Sequence, residues 1–272
     1  MTQRDIPPFI FRRGSAPLLV SMPHVGTHIP DDIASGMTDA ALRLPDTDWH
    51  LERLYDCLDE LGASVLVATH SRYVIDLNRP TDNANLYPGQ DTTGLCPVDT
   101  FHKEAIYRDG CLPDDAEIQR RIASYWVPYH ATLDEELRRL RAEHGVAMLW
   151  DAHSICSVVP RFFEGRLPDF NIGTASGASC DPQLGEELLA IAREAGGYSA
   201  VLNGRFKGGH ITRHYGRPAD NVHAVQLELA EATYMQESHP YAFDEGLAEG
   251  VRPLLKRFLG HMIAFAHRRA QA

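Results

Sequence analysis

Several side chains able to hold a metal or move a proton stand directly beside short apolar runs. His24 follows the run at 17–21 (PLLVS), two residues before Gly26, whose missing side chain permits close backbone approach. Asp151 and His153 follow the run at 146–150 (VAMLW) as Asp-x-His; the imidazole can ligate a metal and the carboxylate can orient it. Each has a plainer reading beside the chemical one, His24 as a turn histidine and Asp151 as a turn cap with His153 a bystander. His28 is a weaker neighbour, because an extended segment need not aim both rings together. Asp46 and Asp48, in Asp46-Thr47-Asp48-Trp49, precede a helical pattern, where Asp48 can serve as an N-cap or as a carboxylate ligand. Glu228 lies on an alternating strand, with Val225, Leu227 and Leu229 facing one way and Gln226 and Glu228 the other. Desolvation there raises a carboxyl pKa, which suits a general base acting on an activated water; a salt-bridged Glu on an edge strand is the alternative. Asn78 and Arg79 end another short run, and Arg213 lies in a Gly-rich polar segment at 208–216. Two guanidinium forks beside a metal centre suit a substrate with two carboxylates. The HExxH helix, the GxSxG elbow, the P-loop and a GxGxxG turn are all absent, and Ser154 and Cys156 have no identifiable triad partners.

In open α/β sheets, ligands gather at the carboxyl ends of strands, so the elements that carry these residues decide what can meet. Strands are predicted at 17–21, 64–69 (SVLVAT), 73–77 (YVIDL), 146–150, 199–202 and 223–229. A helix is predicted at 49–61, where Leu51, Leu54, Tyr55, Leu58 and Leu61 recur with helical spacing and Gly62 can cap. Others are predicted at 114–143, kinked or split at Pro128, at 183–195, and from about 244 to 267. The stretches 78–110 and 156–182 read as loops, and the first is long enough to suggest function. This alternation predicts an α/β fold, with a mixed, largely parallel central sheet flanked by helices, in a single domain spanning 1–272.

With 44 % hydrophobic and 23 % charged residues among 272, disordered and fibrous classes are excluded. The 26 Lys and Arg against 37 Asp and Glu leave a net charge of −11, which argues against a nucleic-acid partner. A small anion stays compatible, since a few local Arg can reverse the sign. Fourteen His is a high count for this length. The five Cys are scattered without a CxxC, there is no signal-peptide pattern, and no apolar stretch approaches the ~18 residues of a membrane span. The expectation is a cytoplasmic, reducing setting, no Cys-based zinc site and no membrane partner.

Ordered blocks along almost the whole chain resemble the N-formylglutamate amidohydrolase (N-formylglutamate deformylase) family. They are Pro-His-Val-Gly-Thr (23–27), Asp-Thr-Asp-Trp (46–49), Tyr-Val-Ile-Asp-Leu-Asn-Arg-Pro (73–80), Leu-Tyr-Pro-Gly-Gln (86–90) and Asp-Ala-His-Ser (151–154). Leu-Pro-Asp-Phe-Asn-Ile-Gly-Thr (167–174), Asn-Gly-Arg-Phe-Lys-Gly-Gly (203–209) and Gln-Leu-Glu-Leu (226–229) continue the series. The resemblance implies a zinc-carboxypeptidase-like (phosphorylase/hydrolase-like) fold, similar also to the aspartoacylase and succinylglutamate desuccinylase group. It implies one Zn2+, or another divalent metal, per chain, with His24 matching the first ligand and His153 the last. Glu228 then matches the general base, and Asn78 and Arg79 the substrate-binding pair. Those relatives place their carboxylate ligand three residues after the first His, where this chain has Thr27. Asp48 is the expected replacement, with Asp46 second, and Arg213 is the expected further carboxylate clamp. The implied activity is zinc-dependent hydrolysis of a linear amide, converting N-formyl-L-glutamate to formate and L-glutamate in histidine degradation. The partner is then a small dianionic N-acyl amino acid. Two alternatives stand beside it: a metal-dependent deacylase of another N-acyl acidic amino acid, such as an acetyl or succinyl derivative, and a non-catalytic carboxylate-binding relative.

Overall fold

Runs such as LLVSM and SVLVA carry almost no polar alternation because both of their faces are covered, as expected of central parallel strands. The computed structural model describes residues 6–271. In chain order it contains β1 (Phe9–Arg12), β2 (Leu18–Met22), three single helical turns α1 (Asp31–Ala34), α2 (Asp39–Leu42) and α3 (Leu51–Leu54), and β3 (Ser64–Ala68). Then come α4 (Asp115–Arg121), a π-helical turn (Ile122–Trp126), α5 (Val127–His144), β4 (Ala147–Ile155), β5 (Phe170–Gly173) and α6 (Pro182–Ala195). The chain closes with β6 (Ala200–Leu202), α7 (His210–Tyr215), β7 (Val222–Ala230) and α8 (Glu245–Ala270).

The strands form one seven-stranded sheet in the order β1-β3-β2-β4-β7-β5-β6. Pairing is parallel at β2/β3, β2/β4, β4/β7 and β5/β6, and antiparallel at β1/β3 and β5/β7. The sheet is therefore mixed and largely parallel, with helices on both faces. Trp150, Val225 and Leu227 point to the face packed by Leu188 of α6 and Phe258 of α8. Leu19, Leu149 and Ala224 point to the other, against Tyr129, Leu133 and Leu137 of α5.

Some predicted elements differ. Over 49–61 only Leu51–Leu54 is helical, because Tyr55 leaves the helical region at ψ 57°. Leu51, Leu54, Tyr55 and Leu58 are nonetheless buried, so the spacing there reported burial rather than helix. The segment 73–77 is a set of turns, with Val74 N donating to Ser71 O and Asp76 N to Leu95 O; its apolar residues fill the core without a strand partner. Between 156 and 182 lies β5, and β1 was not anticipated. The long helical stretch is interrupted by the π turn just ahead of Pro128, a common way to absorb a local misfit in the i→i−4 ladder. β4 continues through Asp151 and His153, which are thus strand residues and not the turn beyond one. No helix of the described residues is long and apolar enough to cross a membrane.

Candidate functional site

Register brings the first groups together. His153 of β4 stands opposite Glu228 of β7, and Asp151 opposite Gln226, so all four side chains leave the same face of the sheet. Apolar residues fill that face up to Leu149 and Ala224, and the polar set occupies the carboxyl end beyond them. His24 enters from the neighbouring strand end, two residues past β2. Gly26 is required there: a Cβ would overlap the carbonyl of His70. Asp48 arrives on the segment before α3, tied by its N–H to His24 O at 3.1 Å. It caps no helix; His50 holds the N-cap position of α3.

His24, Asp48 and His153 are all buried, and among the described residues they form a group that could hold a metal ion. His153 Nδ1 lies 3.1 Å from His24 Nδ1 and 3.1 Å from Asp48 Oδ2, and His24 Nδ1 lies 3.7 Å from Asp48 Oδ2. A tetrahedral metal with ligands at ~2.0–2.1 Å separates them by ~3.4 Å, so the spacing fits such an ion. The outward ring nitrogens are held by carboxylates: His24 Nε2 by Asp76 Oδ1 at 2.7 Å, His153 Nε2 by Asp151 Oδ2 at 3.1 Å. This is how ligating imidazoles are usually oriented. Charge points the same way. The carboxyl groups of Asp46, Asp48, Asp76, Asp151 and Glu228 are buried together, against the guanidinium of Arg72 and the mostly buried one of Arg79. Among the described residues, Asp48 Oδ1 and Asp151 Oδ1 have no hydrogen-bond partner.

Burial acts on these acids in different directions. For Asp48 it opposes ionisation, but the two imidazoles override it and hold the carboxyl below the usual range. Burial pushes Asp46 up to about 6, despite the N–H of Phe101 on its Oδ2 at 2.9 Å. Burial pushes Glu228 up to about 8, with His153 opposing and Asp48 adding to the rise. Gln226 Nε2 is 3.4 Å from Glu228 Oε2, so the carboxyl faces the cleft without a cation on it.

A cleft opens in front of these groups, and a concave site with a few convergent polar groups suits a small molecule. His24, His153 and Glu228 line its floor, and Arg79, Arg205, Tyr87 and Phe162 its walls. Among the described residues the nearest carboxylate to Arg79 is that of Asp76, 4.0 Å from its Nε, which leaves a mostly buried cation without a close anion. Burial depresses its pKa, with Asp76 opposing.

The sequence-derived residues are not all placed alike. Thr27 and Arg213 are exposed. Arg213 lies outside the cleft lining, its Nε donating to Gly208 O at 2.8 Å and its guanidinium stacked over Tyr87. Arg205 occupies the cleft wall instead; it was visible only as part of the block at 203–209. Asp46 is close by but outside the group of three. Arg72 was also missed. Its Nη2 donates to Asp76 Oδ2 at 2.8 Å and its Nη1 is 3.7 Å from Asp48 Oδ1. The one available signal was its spacing of four residues from Asp76. Asn78 lines the cleft, yet its amide is turned into the protein.

Comparisons with known proteins point in one direction. Residues 16–235 match the family model described as N-formylglutamate amidohydrolase. The chain is 55 % identical over 259 residues to N-formylglutamate deformylase of Pseudomonas aeruginosa, covering 95 % of this chain and 97 % of that one. It is 53 % identical over 261 residues to N-formylglutamate deformylase of Pseudomonas putida, covering 96 % and 97 %. Among solved structures, N-formylglutamate amidohydrolase from Ralstonia eutropha JMP134 superposes with a TM-score of 0.82 at 28 % identity, covering 97 % of this chain and 99 % of that one. The gene product Atu2144 of Agrobacterium tumefaciens shares the fold, with a TM-score of 0.71 at 20 % identity over 95 % of each chain.

Proposed function

The chain belongs to the N-formylglutamate amidohydrolase family, and on that premise we propose that it hydrolyses N-formyl-L-glutamate to formate and L-glutamate with the help of one divalent metal. His24, Asp48 and His153 would hold the ion, and two nitrogens with one carboxylate oxygen suit zinc. When bound, the ion supplies Lewis acidity, drawing charge from the formyl oxygen and easing deprotonation of water.

The remaining work falls to side chains. Glu228 takes a proton from the attacking water as its oxygen bonds to the formyl carbon. When the C–N bond breaks, Glu228 returns that proton to the departing amine nitrogen, so the carboxylate is regenerated. A carboxyl raised by burial and released by nearby cations has a proton affinity suited to both halves of the cycle. Arg79 and Arg205 bind the α- and γ-carboxylates. Fixing two remote anions sets the formyl carbon against the base, which lowers the barrier by orientation. Arg213, on the outer surface, is not needed for this arrangement.

The observation that carries the reading is the set of three facing ligand atoms beside an unpaired Glu228, in a cleft whose walls carry Arg79 and Arg205. The free cysteines support a reducing, cytoplasmic setting, and histidine degradation is the metabolic context this substrate suggests. Metal content measured together with formate release tests the proposal. About one equivalent of metal and formate released from N-formylglutamate are expected, with little turnover of N-acetyl- or N-succinylglutamate. Metal-replete protein that releases no formate overturns it.

A further inference from the structure

All four polar groups of Asn78 are committed inside the protein. Its N–H donates to Asp76 Oδ1 at 2.8 Å, and its carbonyl accepts from His210 N at 3.2 Å. Its side-chain Oδ1 accepts from Ile211 N at 2.8 Å, which fixes the orientation of the amide. Its Nδ2 is then 3.3 Å from Asp151 Oδ2 and 2.9 Å from His153 Nε2. With His153 Nδ1 turned towards Asp48 and His24, the ring proton belongs on Nε2 and is donated to Asp151; Nε2–H and the Asn78 amide then share Asp151 Oδ2 as acceptor, and their 2.9 Å approach to each other is a contact between two donors and not a hydrogen bond. Asp151 Oδ2 therefore gathers His153, Asn78 and Thr212 Oγ1, the last at 3.3 Å. Asp76 in turn gathers His24, Asn78 and Arg72. One residue thus bridges the two carboxylates that orient the two imidazoles. The packing around it is built for that position: a Cβ on Gly209 would lie 2.6 Å from Asn78 Oδ1, so a glycine keeps room for the amide.

We infer that Asn78 is a positioning residue that clamps Asp76 to Asp151, and through them His24 to His153, rather than a group that touches the substrate. The inference rests on the metal-site reading proposed above. It separates Asn78 from its neighbour Arg79, whose guanidinium is open to the cleft.

Zinc affinity by chelator competition, with KM and kcat at saturating zinc, tests this on Asn78→Ser, Asn78→Asp, Gly209→Ala and Arg79→Ala. Loss of an outer partner typically weakens metal binding ~10–100-fold, and that is the expectation for both Asn78 variants and for Gly209→Ala. Asn78→Asp should be the worse of the two, because it sets a carboxylate against Asp151. KM at saturating zinc should stay within about threefold for Asn78→Ser, while Arg79→Ala should show the reverse split, with unchanged zinc affinity and raised KM. Unchanged zinc affinity with a raised KM in Asn78→Ser makes it a substrate contact and overturns the inference. Should the Asn78 variants fail to fold, Gly209→Ala decides on the same two readouts, since it displaces the amide and keeps every polar group. Wild-type protein that binds no zinc rejects the underlying site as well, which is distinguishable from a failure of the clamp alone.

Discussion

His24, Asp48 and His153 converge on the sheet face near the end of β4, while Cys156, Glu231 and Glu237 converge just past the ends of β4 and β7. Both groups bring their potential ligand atoms within 4.8 Å of one another, yet their surroundings differ. Glu237 accepts from Ser157 N, from Ser157 Oγ at 2.8 Å and from Ala232 N at 3.0 Å, so three of its roughly four lone pairs are already used. The Cys156 thiol donates to Glu231 Oε2 at 3.3 Å. Burial drives both the Glu231 carboxyl and the Cys156 thiol upward, which sets this pair apart from the low-held carboxyl of Asp48. In the first group the carboxyl is held low, and the outward imidazole nitrogens are tied back by Asp76 and Asp151. Proximity is therefore a poor criterion for a metal site. What separates the two is how many donors the surrounding protein has already supplied: Asp48 Oδ2 accepts one backbone N–H, from Ser154 at 3.2 Å, whereas Glu237 accepts from three groups.

Variants can break or sharpen this contrast. The largest effect is expected for Glu228→Gln, whose kcat should fall ~10²–10⁴-fold with metal retained, since it would remove the proposed base but none of the proposed ligands. Full turnover in that variant rejects the role of Glu228. Next comes Asp48→Asn, which should weaken metal binding at least ~10-fold, whereas Asp46→Asn should hold its metal as the wild type does. The reverse result would move the carboxylate ligand to Asp46. Arg79→Ala should raise KM ~10–100-fold with a smaller change in kcat, as expected for a charged hydrogen bond of ~1.5–3 kcal/mol. A KM that does not move takes Arg79 away from the substrate. The smallest effect on metal belongs to the second group. Glu237→Gln should lower stability by about 1–3 kcal/mol, through loss of a charged acceptor, and leave metal content unchanged. Metal lost on Glu237→Gln or Cys156→Ser would erase the contrast.

The parts of the fold legible in the sequence are those where burial and backbone geometry agree. β2, β3 and β4 read as apolar runs, β7 as an alternating strand, and α6 and α8 as long amphipathic stretches ended by ordinary caps. Legibility fails where burial occurs without regular structure. The apolar residues at 51–58 and 73–77 pack into the core, and nothing local in them demands a strand or a long helix. The site divides in the same manner. Glu228 shows itself by strand alternation, and His24 by standing at a strand end. Arg72, Arg205 and the inward commitment of Asn78 do not show, because their partners lie in other elements.

From the amino-acid order alone follow the α/β class, the side of β7 that Glu228 occupies, and the absence of the usual nucleophile and nucleotide motifs. These depend on local spacing, which a linear chain displays directly. Only the tertiary structure decides which aspartate meets the two histidines, which arginines face the cleft, and that Asp76 serves His24. Those pairings span up to 129 positions, from His24 to His153, and are set by parallel strand register and by how closely glycines let neighbouring backbones approach. No local pattern encodes such distances; they exist only once β2, β4 and β7 lie side by side.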